Sequence, residues 1–271
     1  MWKAGKQIKS FSNKTGFTKR GVHTLPESQD ASKNLVVLQY EDLKSKNLFE
    51  KIEKAFGREG LGALTIRGIP VRFFKPSYFH HTKKFHTPKK KFAELRKKLI
   101  PLTHKVAHLP EEAKRKLEDA ESMYNAGWSH GKEKLGDEPD FAKGSFYGNP
   151  LYDVAAEEDV VRKYPFFFPK NVWPSQEIPE LEGLFKELGR VMFDSVVLLS
   201  EQIDRLIAER VSGYERASLY REISTTRKVK GRMLYYFPTD KVDVEDAWIG
   251  FHNDSGFLTG EIPALLDYRG N

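Results

Sequence analysis

Along the chain, apolar positions change period several times, and each change marks an element. Leu35–Tyr40 is a short apolar run of the kind a buried strand uses. From Leu43 to Phe56, Leu48, Phe49, Ile52, Ala55 and Phe56 recur at helical spacing, and a second strand over Ala63–Ile66 is closed by the turn signal Gly68-Ile69-Pro70. Helical spacing returns over Phe92–His108. It returns again after "LPEEAKRKLED", where Pro110, Glu111 and Glu112 suit a helix start. The glycine-punctuated stretch "NAGWSHGKEKLGDEPDFAKGSFYGNPL" predicts loop with short strands. Asn171, Trp173 and Pro174 read as a turn and core anchor. The longest helical pattern is Ile178–Arg210, with a wide apolar face. "GRMLYYFP" and "AWIGFHNDSGFLTG" then read as strands. The pattern predicts an α+β chain, an N-terminal mixed α/β and helical region followed by strands, with no internal repeat.

Composition narrows the possibilities. With 271 residues, 39% of them hydrophobic, the chain can build a substantial core. It contains no cysteine, which excludes disulfide scaffolds, cysteine zinc fingers and thiol catalysis. No apolar run reaches the roughly 18–20 residues of a membrane span, so a soluble protein without a membrane span is expected.

The net charge of +7 is unevenly placed. Residues 1–26 carry +6 and residues 71–98 carry +9, which leaves −8 on the rest. An acidic body makes nucleic acid an unlikely partner despite the basic pI. Residues 1–33 form a basic tail with no acid before Glu27, read either as an organelle transit peptide or as a solvated tail. The corresponding location is mitochondrial or plastid in the first case and cytoplasmic in the second. The segment 71–91, with His80, His81 and His86 among lysines, reads as an exposed loop broken by Pro76 and Pro88.

One triplet carries candidate chemistry. His252 and Asp254 are two apart in an expected strand, so both would point to one face and offer an imidazole nitrogen and a carboxylate oxygen to one cation. Two histidines and one carboxylate on one face of Fe(II) leave open positions for O2 and a cosubstrate. The alternative for the same residues is a solvated strand end.

The order of strand, helix and strand ending in "GIP", then "LPEEAK", the long helix, and "RMLYYFP" before "HND" resembles the isopenicillin N synthase-like branch of the Fe(II)/2-oxoglutarate-dependent oxygenases, over roughly Leu35 to Gly260. "GWSHGKEK", "KGSFYGNP", "NVWP", "KGRMLYYFP" and "WIGFHNDSGFLTG" look more closely like a less characterised eukaryotic branch of that superfamily.

The resemblance implies a double-stranded β-helix (jelly roll) beginning in residues 228–271, after an N-terminal α/β and helical region at 34–227 in which 71–91 is a basic insertion. It implies Fe(II) held by His252 and Asp254, 2-oxoglutarate as cosubstrate, and oxidation of a small organic substrate. Tyr236 falls where many members carry the tyrosine of an Asn-x-Tyr motif and is the candidate cosubstrate contact, with ordinary barrel aromatics as the alternative for Tyr235 and Tyr236; Leu234 stands at the Asn position. Trp128 and His130 are candidate substrate contacts, with a structural loop histidine as the alternative for His130. The family's distal histidine and Arg-x-Ser pair have no counterpart before Asn271, so a C-terminally truncated jelly roll is expected. A non-catalytic relative serving as a binding scaffold is the alternative function. Nothing in the sequence fixes the oligomeric state.

Overall fold

The computed structural model describes residues 35–45, 47–70, 92–135, 138–238, 254 and 256–262. The basic tail, the segment 71–91 with its three histidines, and His252 lie outside the described residues. The chain divides into two units, Met1–Leu35 and Val36–Asn271, and every element below belongs to the second.

Two short strands, β1 (Val36–Gln39) and β2 (Leu64–Arg67), pair in parallel, with Val36 opposite Leu64 and Gln39 opposite Arg67. The chain between them forms two helices rather than the single one the apolar spacing predicts: α1 (Asp42–Ser45) and α2 (Phe49–Phe56). The side-chain oxygen of Asn47 accepts the Phe49 N–H at 2.9 Å, so a side chain takes a bond that a continuous helix would direct to its own backbone. Val36 and Leu38 of β1 and Ile52 and Ala55 of α2 bury together with Leu43, Leu48 and Leu199.

A second sheet is antiparallel, in the order β3 (Gly127–His130), β6 (Lys143–Gly148), β7 (Gly231–Tyr236). The hairpin of β4 (Lys134–Leu135) and β5 (Glu138–Pro139) lies between β3 and β6 in the chain. Among the described residues none of these sheets closes into a barrel, and the fold is mixed α and β.

One face of the three-stranded sheet is covered by α3 (Phe92–Ala107) and α6 (Glu180–Arg210). Leu95, Leu99, Leu102 and Val106 recur at helical spacing along α3 and meet Trp128, Phe146 and Met233 from the three strands, with Leu181, Phe185, Leu188 and Val191 from α6. Pro101 sits on the exposed side of α3, and the helix runs through it. Gly144 fits beneath the indole: a Cβ there would stand 2.2 Å from the Trp128 ring.

At 31 residues α6 is about 46 Å long, enough to serve both cores. Its first half packs on the antiparallel sheet, while Leu199 and Ile203 farther along pack on the β1–β2 layer. Gln202 donates to the Leu43 carbonyl at 2.8 Å. Of three shorter helices, the sequence showed α4 (Glu111–Lys116) but not α5 (Glu158–Lys163) or α7 (Ser218–Thr225). The cap of α7 comes from far away in the chain. Asp204 of α6, buried, accepts the N–H groups of Leu219 and Tyr220 at 3.2 and 2.6 Å and the Tyr214 hydroxyl.

The expected final strand is corrected in its described part. Asp254 and Gly256–Ile262 are irregular. Thr259 Oγ1 donates to Asp254 Oδ2 at 2.6 Å, whereas five residues of extended strand would put these positions about 16 Å apart. The segment turns back against α6, with Gly260 close to Met192 and Val196.

Candidate functional site

Strand alternation assigns the side chains of the β3–β6–β7 sheet to two faces. Trp128 pairs with Phe146 and Phe146 with Met233, all on the face the helices cover. His130 follows on that same face: its ring stacks on Phe237 at 4.5 Å, and its Nε2 lies 3.0 Å from the Phe141 carbonyl oxygen. Tyr235 sits edge-on to His104 of α3 and to His108 just past its end, at 5.5 and 5.3 Å. The opposite face carries Ser129, Lys143, Ser145, Tyr147, Arg232, Leu234 and Tyr236.

Tyr236, the candidate cosubstrate contact, therefore lies across the sheet from Trp128 and His130, the candidate substrate contacts. Trp128 is 1% exposed and filled by core neighbours, so its surroundings are those of a packing residue. His130 sits on a strand rather than a loop, and its ring is engaged with Phe237 and the Phe141 backbone. Tyr236 is opposite Lys143 at the end of β7 and is 38% exposed.

The second face is organised by charge. Arg232 Nη2 donates to both Glu133 oxygens, at 2.9 and 3.0 Å, and to Ser145 Oγ at 2.8 Å. The Tyr147 hydroxyl donates to Glu133 Oε1 at 2.5 Å. Lys143 stands 3.4 Å from Glu133 and 3.0 Å from the buried Asp140. Partial burial alone would raise the Glu133 pKa; the Tyr147 hydroxyl and the charges of Arg232 and Lys143 outweigh it and hold the carboxyl below its ordinary range. Burial, reinforced by the Glu133 carboxylate, pushes the Tyr147 phenol well up, so it remains a donor through the physiological range.

Glu133, Ser145, Tyr147 and Arg232 were not singled out from the sequence. The available signal was parity: Arg232, Leu234 and Tyr236 alternate with Met233 and Tyr235 in a single short run. Reading it needed the partner strand and its register, which β6 supplies 83 to 93 residues earlier for its six paired positions.

Of the proposed metal pair, Asp254 is the described member: exposed, with its Oδ2 held by Thr259. His252 is outside the described residues. Among the described residues no three His, Asp or Glu side chains converge closely enough to hold a metal ion, so those residues do not by themselves provide the donor set an iron centre needs. No helix among them is long and apolar enough to cross a membrane. No family model matches the chain, and no curated protein matches it significantly.

Proposed function

We propose that the chain is an oxygenase-like protein of the Fe(II)/2-oxoglutarate-dependent kind, with a jelly-roll core, oxidising a small organic substrate. His252 and Asp254 are its iron-holding pair. The observation that carries this reading is the exposed Asp254 carboxylate, oriented by the Thr259 hydroxyl two residues after His252 in a motif set within the wider sequence resemblance. Bound iron would supply O2 activation. The chain's own part is to present a carboxylate with one oxygen fixed and to place Tyr236 on the sheet face that carries hydrogen-bonding groups.

The second reading is a non-catalytic binding scaffold. It is favoured by the way the polar sheet face neutralises itself: Glu133 is satisfied by Arg232, Tyr147 and Lys143.

Anaerobic Fe(II) titration of the 271-residue chain separates the two. The oxygenase reading expects weak iron binding that drops by about tenfold or more in His252→Ala and in Asp254→Ala. Identical iron affinity in the parent chain and both variants would sink it and leave the scaffold.

A further inference from the structure

The run "RKYPFFFPK", residues 162–170, has no role in the proposed chemistry, yet it builds an unusual surface. Phe167 N–H donates to the Tyr164 carbonyl at 3.0 Å, closing a tight turn with Pro165 at its second position, where a fixed φ suits the bend. The turn puts Phe166 and Phe167 at its tip. They are 42% and 48% exposed although the chain has two apolar cores that could take them. Tyr164, beside them, is 45% exposed.

Cations surround the tip. Lys228 Nζ lies 4.3 Å from the centre of the Phe167 ring, and Lys163 Nζ lies 5.2 Å from that of Tyr164. Asn125 ties the neighbouring segments together: its Nδ2 donates to the Phe166 carbonyl at 3.0 Å, and its Oδ1 accepts from Lys230. Arg227 covers the Tyr152 ring at 4.7 Å. Just before Asn125, Met123 is 70% exposed in a turn where Met123 and Tyr124 both take left-handed backbone angles. The segments 162–170 and 226–230 carry six Lys and Arg and no acid; the segment 119–125 adds Asp119 and Glu121, for a net charge of +4. This is a local reversal of the chain's acidic body.

We propose that this patch docks the protein on an anionic lipid surface, with Phe166, Phe167 and Met123 entering the headgroup boundary and the surrounding Lys and Arg facing lipid phosphates and carboxylates. Interfacial binding of this type combines apolar side chains at the boundary with electrostatic attraction of basic residues. The ring geometry favours lipid over single-stranded nucleic acid. Base stacking needs an open ring face. Here Phe166 and Phe167 pack edge to face at 5.1 Å, and Lys228 lies over the Phe167 ring. Their carbon edges also have no hydrogen-bonding groups with which to read a base, whereas a headgroup layer accepts rings in any orientation. A patch of three apolar tips makes a weak and reversible contact that depends on the lipid charge.

Co-sedimentation of the full chain with phosphatidylcholine vesicles, with and without phosphatidylserine, tests this. Binding should be at least about tenfold stronger to the serine-containing vesicles and should weaken as salt rises. The double variant Phe166→Ser/Phe167→Ser should lose about tenfold or more, and Lys170→Glu/Lys228→Glu should lose roughly fivefold for each cation removed. Both pairs change exposed side chains, and an unchanged thermal melting curve verifies that the fold is intact. Equal binding to both vesicle types, or anionic-vesicle binding that survives both double variants, overturns the proposal. Phenylalanine-dependent binding to a single-stranded oligonucleotide without vesicle binding also overturns it and assigns the patch to nucleic acid.

Discussion

The two faces of the β3–β6–β7 sheet are built from the same three strands and stabilised in opposite ways. On one face Trp128, Phe146 and Met233 lose nearly all contact with water against α3 and α6. The gain there scales with apolar area and with packing. On the other face Arg232, Glu133, Tyr147 and Lys143 satisfy one another while Arg232 and Glu133 keep part of their surface in solvent. The gain there is small, because charges that stay partly hydrated are screened and ordering their side chains costs entropy. A strand two residues out of step would keep both sets; one residue out of step would exchange them and bury Arg232 among leucines. The first face therefore holds the fold, and the second is the one left with polar groups that a ligand can address.

The comparison breaks most visibly at Phe146. Phe146→Ala removes a fully buried ring between Trp173 and Phe185 and should lower unfolding free energy by about 4 kcal/mol in urea titration. A loss below about 1 kcal/mol would mean that the helix-covered face is not the stabilising one.

Glu133→Ala should cost less, about 1–2 kcal/mol by the same measurement, since it strips the Tyr147 hydroxyl and the Arg232 guanidinium of an acceptor at a half-exposed site. Replacing Glu133 and Arg232 together by methionine should cost less than the sum of the two single changes, because each single change leaves the other charge unpaired.

The same carboxylate gives a pH signature. Its folded pKa lies below the ordinary 4.5, so its contribution is complete above that value and disappears as pH falls through the lower, folded value. Stability measured from pH 6 down to pH 3 should therefore decline through the range below about 4.5, less steeply in Glu133→Gln. After allowance for screening at this half-exposed group, the difference is about 1 kcal/mol or less. A variant curve parallel to the parent would remove Glu133 from the account of that face.

Tyr236→Phe should have the smallest effect on stability, within about 0.5 kcal/mol, because the side chain is exposed at a strand end. Under the proposed function it should still weaken 2-oxoglutarate binding measured with Fe(II) present. His130→Phe, on the other face, should leave that binding unchanged. Equal effects from both would mean that the two faces do not divide the work as proposed.

What the sequence determined by itself is local. Helical spacing of leucines located α3 and α6 to within a residue or two at most ends, and short apolar runs located β1, β2 and β7, because periods of 3.6 and 2 follow from backbone geometry alone. The amphipathic signal failed for α7, eight residues long, whose start is fixed by Asp204, fourteen residues upstream on another helix. It failed also for the segment after Asp254, where apolar residues that read as a strand fold back through the Thr259 hydroxyl. The H-x-D triplet and Tyr236 were legible as residues. Which face of the sheet Tyr236 shares, and that Trp128 and His130 lie on the other, was decided by the pairing of β6 with both β3 and β7. Register between strands distant in the chain is set by what each face can bury. Only the packed structure, with α3 and α6 against one side, specifies which side is buried and leaves Arg232, Glu133 and Tyr147 to neutralise one another on the other.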